Sequence, residues 1–409
     1  MLYKLEVENF FSVRDRQVLD LSVDGKVPDP EGRYAPIFEN ADVRAPKVVA
    51  LYGANASGKT TVLRALGFII TMARDSVDRT IPGFVGVERF NDVESANRPI
   101  RFAIELGGIM NLTSEIYQRA MDGDKVEQGV YRYELEIELQ DGIAVRIAYE
   151  ALRQKPNGRG KWQRVYERDA DGEVNGSKTF NLSGFRHLEK TLAANHSVLS
   201  SFAKFRHPTA QIIVDTVRRA LLKIEPVHSF ADRDVIDYLK NQPNVVSQLQ
   251  NELSRIDVGV EGIRVDQSDR GPLLLFKHAG LASEMPWPLE SHGTRAFIKM
   301  YPFIMTALDQ GGFVAIDEMD AVIHPNMLPE LVRWFYTASG RNKFNAQLWL
   351  SCHSASLLDH LNKEEIVICE KDRQGRSHIY SLMDVKVRRD ENHYRKYLSG
   401  AYGGVPRFG

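Results

Sequence analysis

Gly53-Ala54-Asn55-Ala56-Ser57-Gly58-Lys59-Thr60 has the spacing G-x-x-x-x-G-K-[ST] of a phosphate-binding loop. Its flanks fit that reading. Residues 47–52 form an apolar run of the kind a buried parallel strand shows. Residues 61–73 are good helix formers, so strand, loop and helix follow in order. Glycines let the backbone close around an anion. The loop amides and the positive end of the helix then cradle phosphates. Lys59 is expected to reach the β- and γ-phosphates and the Thr60 hydroxyl to ligate Mg²⁺. Gly53, Asn55, Ala56, Ser57, Gly58, Lys59, Thr60 and Thr61 are thus the candidate nucleotide-binding residues.

Downstream, Phe313-Val314-Ala315-Ile316-Asp317-Glu318 is an apolar strand ending in two acids. Such an ending alone is a common solvated strand terminus. In an open α/β sheet it delivers the acids to the ligand-binding end, where the phosphate loop also lies. Asp317 is then expected to hold Mg²⁺ through water, and Glu318 to orient the attacking water or take its proton. His353, within Ser351-Cys352-His353-Ser354, follows the next expected strand, residues 347–350. That position lets its imidazole sense the γ-phosphate. Ser291-His292-Gly293-Thr294 opens a helix with Ser291 as N-cap. Its bland reading is a cap beside a glycine; its sharper one makes Ser291, Gly293 and Thr294 an anion site at a helix N-terminus. A GTPase would show Asp-x-x-Gly, whereas Asp317 is followed by Glu318-Met319-Asp320. Asn362-Lys363-Glu364-Glu365 lacks the final Asp of a guanine-reading motif, so ATP is the expected nucleotide.

The rest of the chain supplies the frame. Its 409 residues suggest two or three compact units. Hydrophobic residues at 43% and charged ones at 26% exclude disordered, collagenous and disulfide-scaffold classes. With 53 Lys plus Arg against 54 Asp plus Glu, the net charge of −1 provides no global pull toward nucleic acid or membrane. Cys352 and Cys369 are too few for a disulfide framework or zinc cage, and they fit a reducing compartment. No apolar run reaches the roughly 18 residues of a membrane span. The first eight residues alternate apolar and charged like a strand rather than a signal peptide, so a cytoplasmic protein is expected.

Strand patterns fall at residues 3–9, 16–23, 47–52, 100–106, 130–139 and 143–150, with Asp141-Gly142 as a tight hairpin signal. A second hairpin is expected across residues 162–180, with turns at Asp171-Gly172 and Asn175-Gly176. Helical spacing covers 188–205, 210–224 and 235–256, punctuated by Pro208, Pro226 and Pro243. Beyond Gly259 strands return, notably at 273–277. A βαβ-like alternation then runs through a helix from Thr294, a strand at 313–316, a helix from Asn326, and strands at 347–350 and 366–370. The expected architecture is one split α/β domain with an inserted helical lobe, too short and proline-broken for coiled-coil arms.

Together these motifs resemble the ABC-type ATPase head, in the branch shared by SMC, RecF and OLD (overcoming lysogenization defect) proteins. The resemblance starts at Lys4-Leu5-Glu6-Val7-Glu8-Asn9-Phe10-Phe11-Ser12 and takes in the phosphate loop as Walker A. Ser291-His292-Gly293-Thr294 stands as a degenerate signature motif, departing from Leu-Ser-Gly-Gly-Gln. Asp317-Glu318 with Met319-Asp320-Ala321-Val322-Ile323-His324-Pro325 stands as Walker B and D-loop, and His353 as switch histidine. The implied fold is an α/β P-loop NTPase: a mixed sheet with helices on both faces, an antiparallel β-subdomain and a helical lobe. The implied division is 1–180, 181–300 and 301–409. The implied chemistry is ATP hydrolysis with Mg²⁺ in a head-to-head homodimer or higher oligomer, each nucleotide lying between one copy's loop and the other's signature helix.

Coiled-coil arms, a TOPRIM nuclease domain and the sensor arginines of ring-forming AAA+ proteins are all absent from the pattern. What remains resembles the short, stand-alone OLD-like AAA-family ATPases of bacterial anti-phage defence, as in the PARIS and RloA–RloB pairs. Tyr394-Arg395-Lys396-Tyr397-Leu398-Ser399-Gly400-Ala401-Tyr402-Gly403-Gly404-Val405-Pro406 resembles the tail of that group. The implied partner is a separately encoded effector, such as a nuclease, with no membrane. The alternative is a RecF-like DNA-binding ATPase of recombination or replication repair. Nucleic acid as a partner would use the basic residues Lys155, Arg159, Lys161, Arg164 and Arg168, or Lys386, Arg388, Arg389, Arg395 and Lys396.

Overall fold

A computed structural model describes residues 1–78, 87–140, 143–223, 231–256, 259–268, 271–321, 323, 327–388 and 391–405. Asp141-Gly142, Pro226, Val322, His324-Pro325, Asn326, Arg389 and Pro406 lie outside the described residues.

The strand Val48–Tyr52 is buried along its whole length and sits inside a six-stranded sheet. The order is Ala220–Lys223, Phe313–Ile316, Gln347–Ser351, Val48–Tyr52, Ile366–Lys371, Ser377–Ser381. The first five run parallel and the last antiparallel. Successive residues of a strand point to opposite faces. Val49 and Leu51 therefore enter one hydrophobic cluster, with the helix Lys59–Asp75, while Val48, Ala50 and Tyr52 enter another, with the helix His292–Gln310. Trp349 and Val367 repeat the first face, and Leu350 and Ile368 the second. Both faces are covered, which is why these strands read as unbroken apolar runs.

A seven-stranded antiparallel sheet packs above the first cluster, in the order Val174–Gly176, Gln163–Arg168, Ile143–Pro156, Gln128–Gln140, Ile100–Ile109, Leu2–Glu8, Gln17–Asp20. Phe10 and Phe102 (centroids 5.0 Å apart) and Phe68 and Phe102 (5.1 Å) bridge this sheet to the helix leaving the phosphate loop. A mixed sheet covered on both faces, with an antiparallel subdomain, is the architecture expected from the sequence. The longest helix among the described residues, His292–Gln310, has 19 residues, so none of them forms a coiled-coil arm.

Several local expectations change. Residues 210–224 divide into a helix, Pro208–Val217, and a strand, Ala220–Lys223, that pairs with Phe313–Ile316. A short apolar run fits either period, and here the sheet decides. The 188–205 pattern splits into Arg186–Thr191 and Val198–Lys204, the second started by Ser197, whose hydroxyl accepts from the Ser200 amide at 3.0 Å. The 235–256 pattern splits into Asp232–Lys240 and Pro243–Ile256, proline opening the second helix. Asn175-Gly176 belongs to an edge strand, not a turn; the chain reverses at Asp169–Glu173, where Gly172 takes φ +85°. Unforeseen were a three-stranded sheet of Val23–Asp24, Tyr34–Pro36 and Val43–Pro46, the helix Ser114–Met121 and the strand Ser377–Ser381.

Candidate active site

Beyond Tyr52 the chain leaves the carboxyl end of the sheet as the loop Gly53–Gly58. Gly53 is hemmed in: a Cβ there would lie 2.2 Å from the Cys369 carbonyl oxygen and 2.4 Å from Ser57 Oγ. No other residue fits. Ala56 takes φ +60°, and Gly58 precedes the helix Lys59–Asp75, which has no acid in its first turn and no side-chain cap. That helix end is left open for an anion. Lys59 Nζ donates to the loop's own carbonyls, Gly53 O at 2.8 Å and Ala54 O at 3.1 Å. Burial lowers its pKa from the ordinary lysine value.

Two further segments hold the loop from the side. Ser377 Oγ donates to Ser57 O at 2.8 Å and pairs with Ser12 Oγ at 2.7 Å. Ser12 Oγ also lies 3.3 Å from Thr61 Oγ1.

The acid strand Phe313–Ile316 does not lie next to Val48–Tyr52; Gln347–Ser351 runs between them. That middle strand links the two. Ser351 Oγ donates to Asp317 Oδ1 and accepts from the Glu318 amide at 2.8 Å. Asp317 Oδ2 accepts from Thr60 Oγ1 at 2.8 Å. Glu318 takes φ +49°, a left-handed conformation costing on the order of 1–2 kcal/mol for a residue with a Cβ. The turn brings its carboxylate to the cavity, 3.5 Å from His353 Nε2. Asp320, on the following turn, accepts from the His353 amide at 2.7 Å and from the Ser354 amide.

One cavity of about 1040 Å³ collects most of these groups. Asn55, Ala56, Ser57, Gly58, Lys59, Thr60 and Thr61 line it, together with Glu318 and His353. Phe11, Arg89 and Phe90 also line it. Gly53 lies beneath the loop and Asp317 reaches the site through Thr60. Ser291, Gly293 and Thr294 are not among the lining residues. Ser291 caps the helix His292–Gln310, its hydroxyl accepting from the Thr294 amide at 3.0 Å and pairing with Thr294 Oγ1 at 2.7 Å. The structure therefore gathers Walker A, Walker B and the histidine, and leaves the signature-like helix end outside this chain's cavity.

Residues missed in the sequence are Ser12, Ser351, Ser377 and Asp320. Ser351 directly follows the expected strand 347–350, but its bonds to the acid strand end cross between strands. Ser377 had no signal, because its strand was not foreseen. Of the basic hairpin residues, Arg168 turns inward: it is buried and donates to His196 O at 2.8 Å. Arg159, Lys161 and Arg164 are exposed, as are Lys386, Arg388, Arg395 and Lys396.

The profile of a family described as "AAA domain, putative AbiEii toxin, Type IV TA system" matches residues 48–359. That span opens on the strand before the phosphate loop and closes just beyond His353. No curated protein matches the chain. Among solved structures it is similar to an SMC head bound to the C-terminal winged-helix domain of ScpA, with 14% identity over 92% of this chain and 96% of that one, TM-score 0.43. It is also similar to the SMC head domain of Thermotoga maritima, with 12% identity over 94% and 99%, TM-score 0.40. A third is an Smc head with an extended coiled coil bound to the C-terminal domain of ScpA, from Pyrococcus furiosus, with 12% identity over 98% and 99%, TM-score 0.42. At these scores the likeness carries no functional conclusion.

Proposed function

The chain belongs to the AAA-domain family whose description names the AbiEii toxin of a type IV toxin–antitoxin system, and we propose that it is an ATP-hydrolysing switch completed by pairing of two copies. The observation that carries this reading is the Thr60–Asp317 contact at 2.8 Å, beside a cavity lined by the phosphate loop and by Thr60 itself. A hydroxyl and a carboxylate facing each other are hard oxygen donors suited to Mg²⁺, which takes few protein ligands beside phosphate and water. Among the described residues no cluster of three or more His, Cys, Asp or Glu could hold a metal by itself, consistent with a cation held jointly with the nucleotide. Bound Mg²⁺ would neutralise charge on the phosphates.

The remaining steps fall to the chain's own groups. Lys59 exchanges the Gly53 and Ala54 carbonyls for β- and γ-phosphate oxygens, gaining a charged partner in a desolvated place. A water oxygen attacks the γ-phosphorus as the bond to the ADP oxygen breaks, and Glu318 takes the water's proton. His353, 3.5 Å from Glu318, contacts the γ-phosphate and reports its departure. The Ser291–Thr294 helix end lies outside this cavity, which supports its serving the nucleotide of a second copy.

The same reading makes the protein a sensor or regulator subunit of an anti-phage defence system, working through a separately encoded effector. The family description, which speaks of a toxin–antitoxin system, supports a two-component setting. No helix among the described residues is long and apolar enough to cross a membrane, and a cytoplasmic site of action is part of the proposal.

Calorimetry with ATP and Mg²⁺ tests the core of the reading. Wild type should bind and Lys59→Ala should not; equal affinity of the two would refute the site. A pull-down of native protein, with mass spectrometry of bound protein and nucleic acid, tests the effector.

A further inference from the structure

The glycine- and tyrosine-rich stretch of residues 394–405 has no part in the reaction above, and none of these residues lines the nucleotide cavity. We propose that residues 397–404 are a positioning strap for the phosphate-binding loop, pressing on Gly53 from beneath so that nucleotide affinity depends on residues that never touch nucleotide. The proposal rests on reading that loop as the nucleotide site.

Tyr397 and Gly404 connect the strap to the strand end and the loop. Tyr397 is buried at the end of the short helix His393–Leu398, and its ring meets the Tyr52 ring edge-on, centroids 5.7 Å apart at 63°. Tyr52 is the last residue of the strand feeding the loop. The Tyr397 hydroxyl donates to Gly404 O at 3.2 Å. Burial pushes that phenol up to about 12, while the Gly53 amide beside it acts in the opposite sense. Gly404 lies near the loop: a Cβ added to it would come into ordinary contact with Gly53 Cα, at 3.5 Å, and would crowd Ile368 Cγ2, at 2.9 Å. Gly53 thus has the Cys369 carbonyl close against it and Gly404 nearby.

The strap itself is anchored away from the site. Tyr380 Oη donates to Tyr402 O at 2.7 Å, and Tyr402 Oη pairs with His393 Nδ1 at 2.9 Å. Gly404 takes φ +69°, so any side chain there is disfavoured by the backbone as well as by Ile368. Replacement by alanine should lift the strap and loosen Gly53 while sparing Lys59, Glu318 and His353.

ATP and ADP share the phosphates that the loop grips, so both should lose affinity alike. For Gly404→Ala the loss should be about ten- to hundredfold, the scale of a small misplacement in a preorganised site. Turnover at saturating ATP should stay within about twofold, because the attacking groups are not moved. Tyr397→Phe keeps the ring on Tyr52 and loses only the hydroxyl's contacts, with Gly404 O and the Gly53 amide, so it should fall between wild type and Tyr397→Ala.

Hydrogen exchange without nucleotide separates this role from general destabilisation. Amides of residues 53–58 should exchange faster in Gly404→Ala, with residues 130–139 of the antiparallel sheet unchanged. Unchanged exchange at 53–58 together with unchanged affinity would overturn the proposal. If Gly404→Ala loosens the whole protein, Tyr397→Phe decides on the same two readouts. Because the exchange is measured without ATP, failure of wild type to bind ATP would refute the nucleotide reading and leave the strap judged on its own.

Discussion

The backbone amide of His353 donates to the Asp320 carboxylate at 2.7 Å, and the Ser354 amide shares the same oxygen. Asp320 sits on the turn Met319–Ala321, directly after the two acids of the site. A shift of the acid strand end is therefore passed through one carboxylate to the start of the histidine loop. Charge-assisted bonds of this kind contribute about 1.5–3 kcal/mol each, enough to hold the loop in one place.

Asp320→Ala should lower kcat by about tenfold, as loss of a supporting residue commonly does, with KM for ATP within about twofold. Asp320→Asn keeps an acceptor oxygen and should lie between the two. Steady-state phosphate release measures both constants. A rise in KM at unchanged kcat would instead place Asp320 in nucleotide binding.

Glu318→Gln keeps the shape of the side chain and removes its basicity. ATP should still bind, hydrolysis should drop by about 10²–10⁴, and the ATP-bound pair should accumulate in size-exclusion chromatography with light scattering. Normal turnover would move the base elsewhere.

Pairing makes a sharper demand. Gly293→Asp puts bulk and negative charge at a helix end expected to face a γ-phosphate across the pair. Single-copy ATP binding should survive and turnover should stop. Mixing Lys59→Ala with Gly293→Asp creates one site with both faults and one with neither, so part of the activity should return. A Gly293→Asp protein that hydrolyses ATP normally would remove that helix end from the mechanism.

Lys47 supplies a pH signature. Its ammonium donates to Gly32 O at 2.9 Å and to Thr337 Oγ1, and the residue is 1% exposed. Burial brings its pKa down to about 8, Asp29 acting against the shift. In the unfolded chain it returns to about 10.4. Between those values the unfolded chain holds more protons, so stability rises with pH across the window. Wild type should therefore gain on Lys47→Met in melting temperature from about pH 7.5 to about pH 10. A constant gap between the two would show an ordinary lysine.

What the sequence disclosed was whatever one segment can announce alone. The phosphate loop carries its own spacing, and Phe313–Ile316 appears where its apolar run predicts. His353 was placed by counting strands rather than by its own chemistry. Ala220–Lys223 was misread because its partner lies some ninety residues away, and local periodicity has no access to that partner. Ser351 and Asp320 escaped for the same reason: their bonds cross between strand ends that become neighbours only when the sheet orders itself. Arg168 shows the converse, a basic residue counted toward a surface stripe that instead turns inward to the His196 carbonyl.

The placing of Val48–Tyr52 between strands that begin at Gln347 and Ile366 also sets a timetable for synthesis. Thr60 leaves the ribosome long before Ser351, and at about 5–20 residues per second the wait for the intervening chain is roughly 15–60 s. Through that interval the strand ahead of the phosphate loop has neither flanking neighbour, and Asp317 arrives before the serine that orients it. Nascent chains are thus born without a working nucleotide site. The apolar run 48–52 is left for chaperones to shield, and a truncated product ending before Gln347 carries the nucleotide motif but no means of using it.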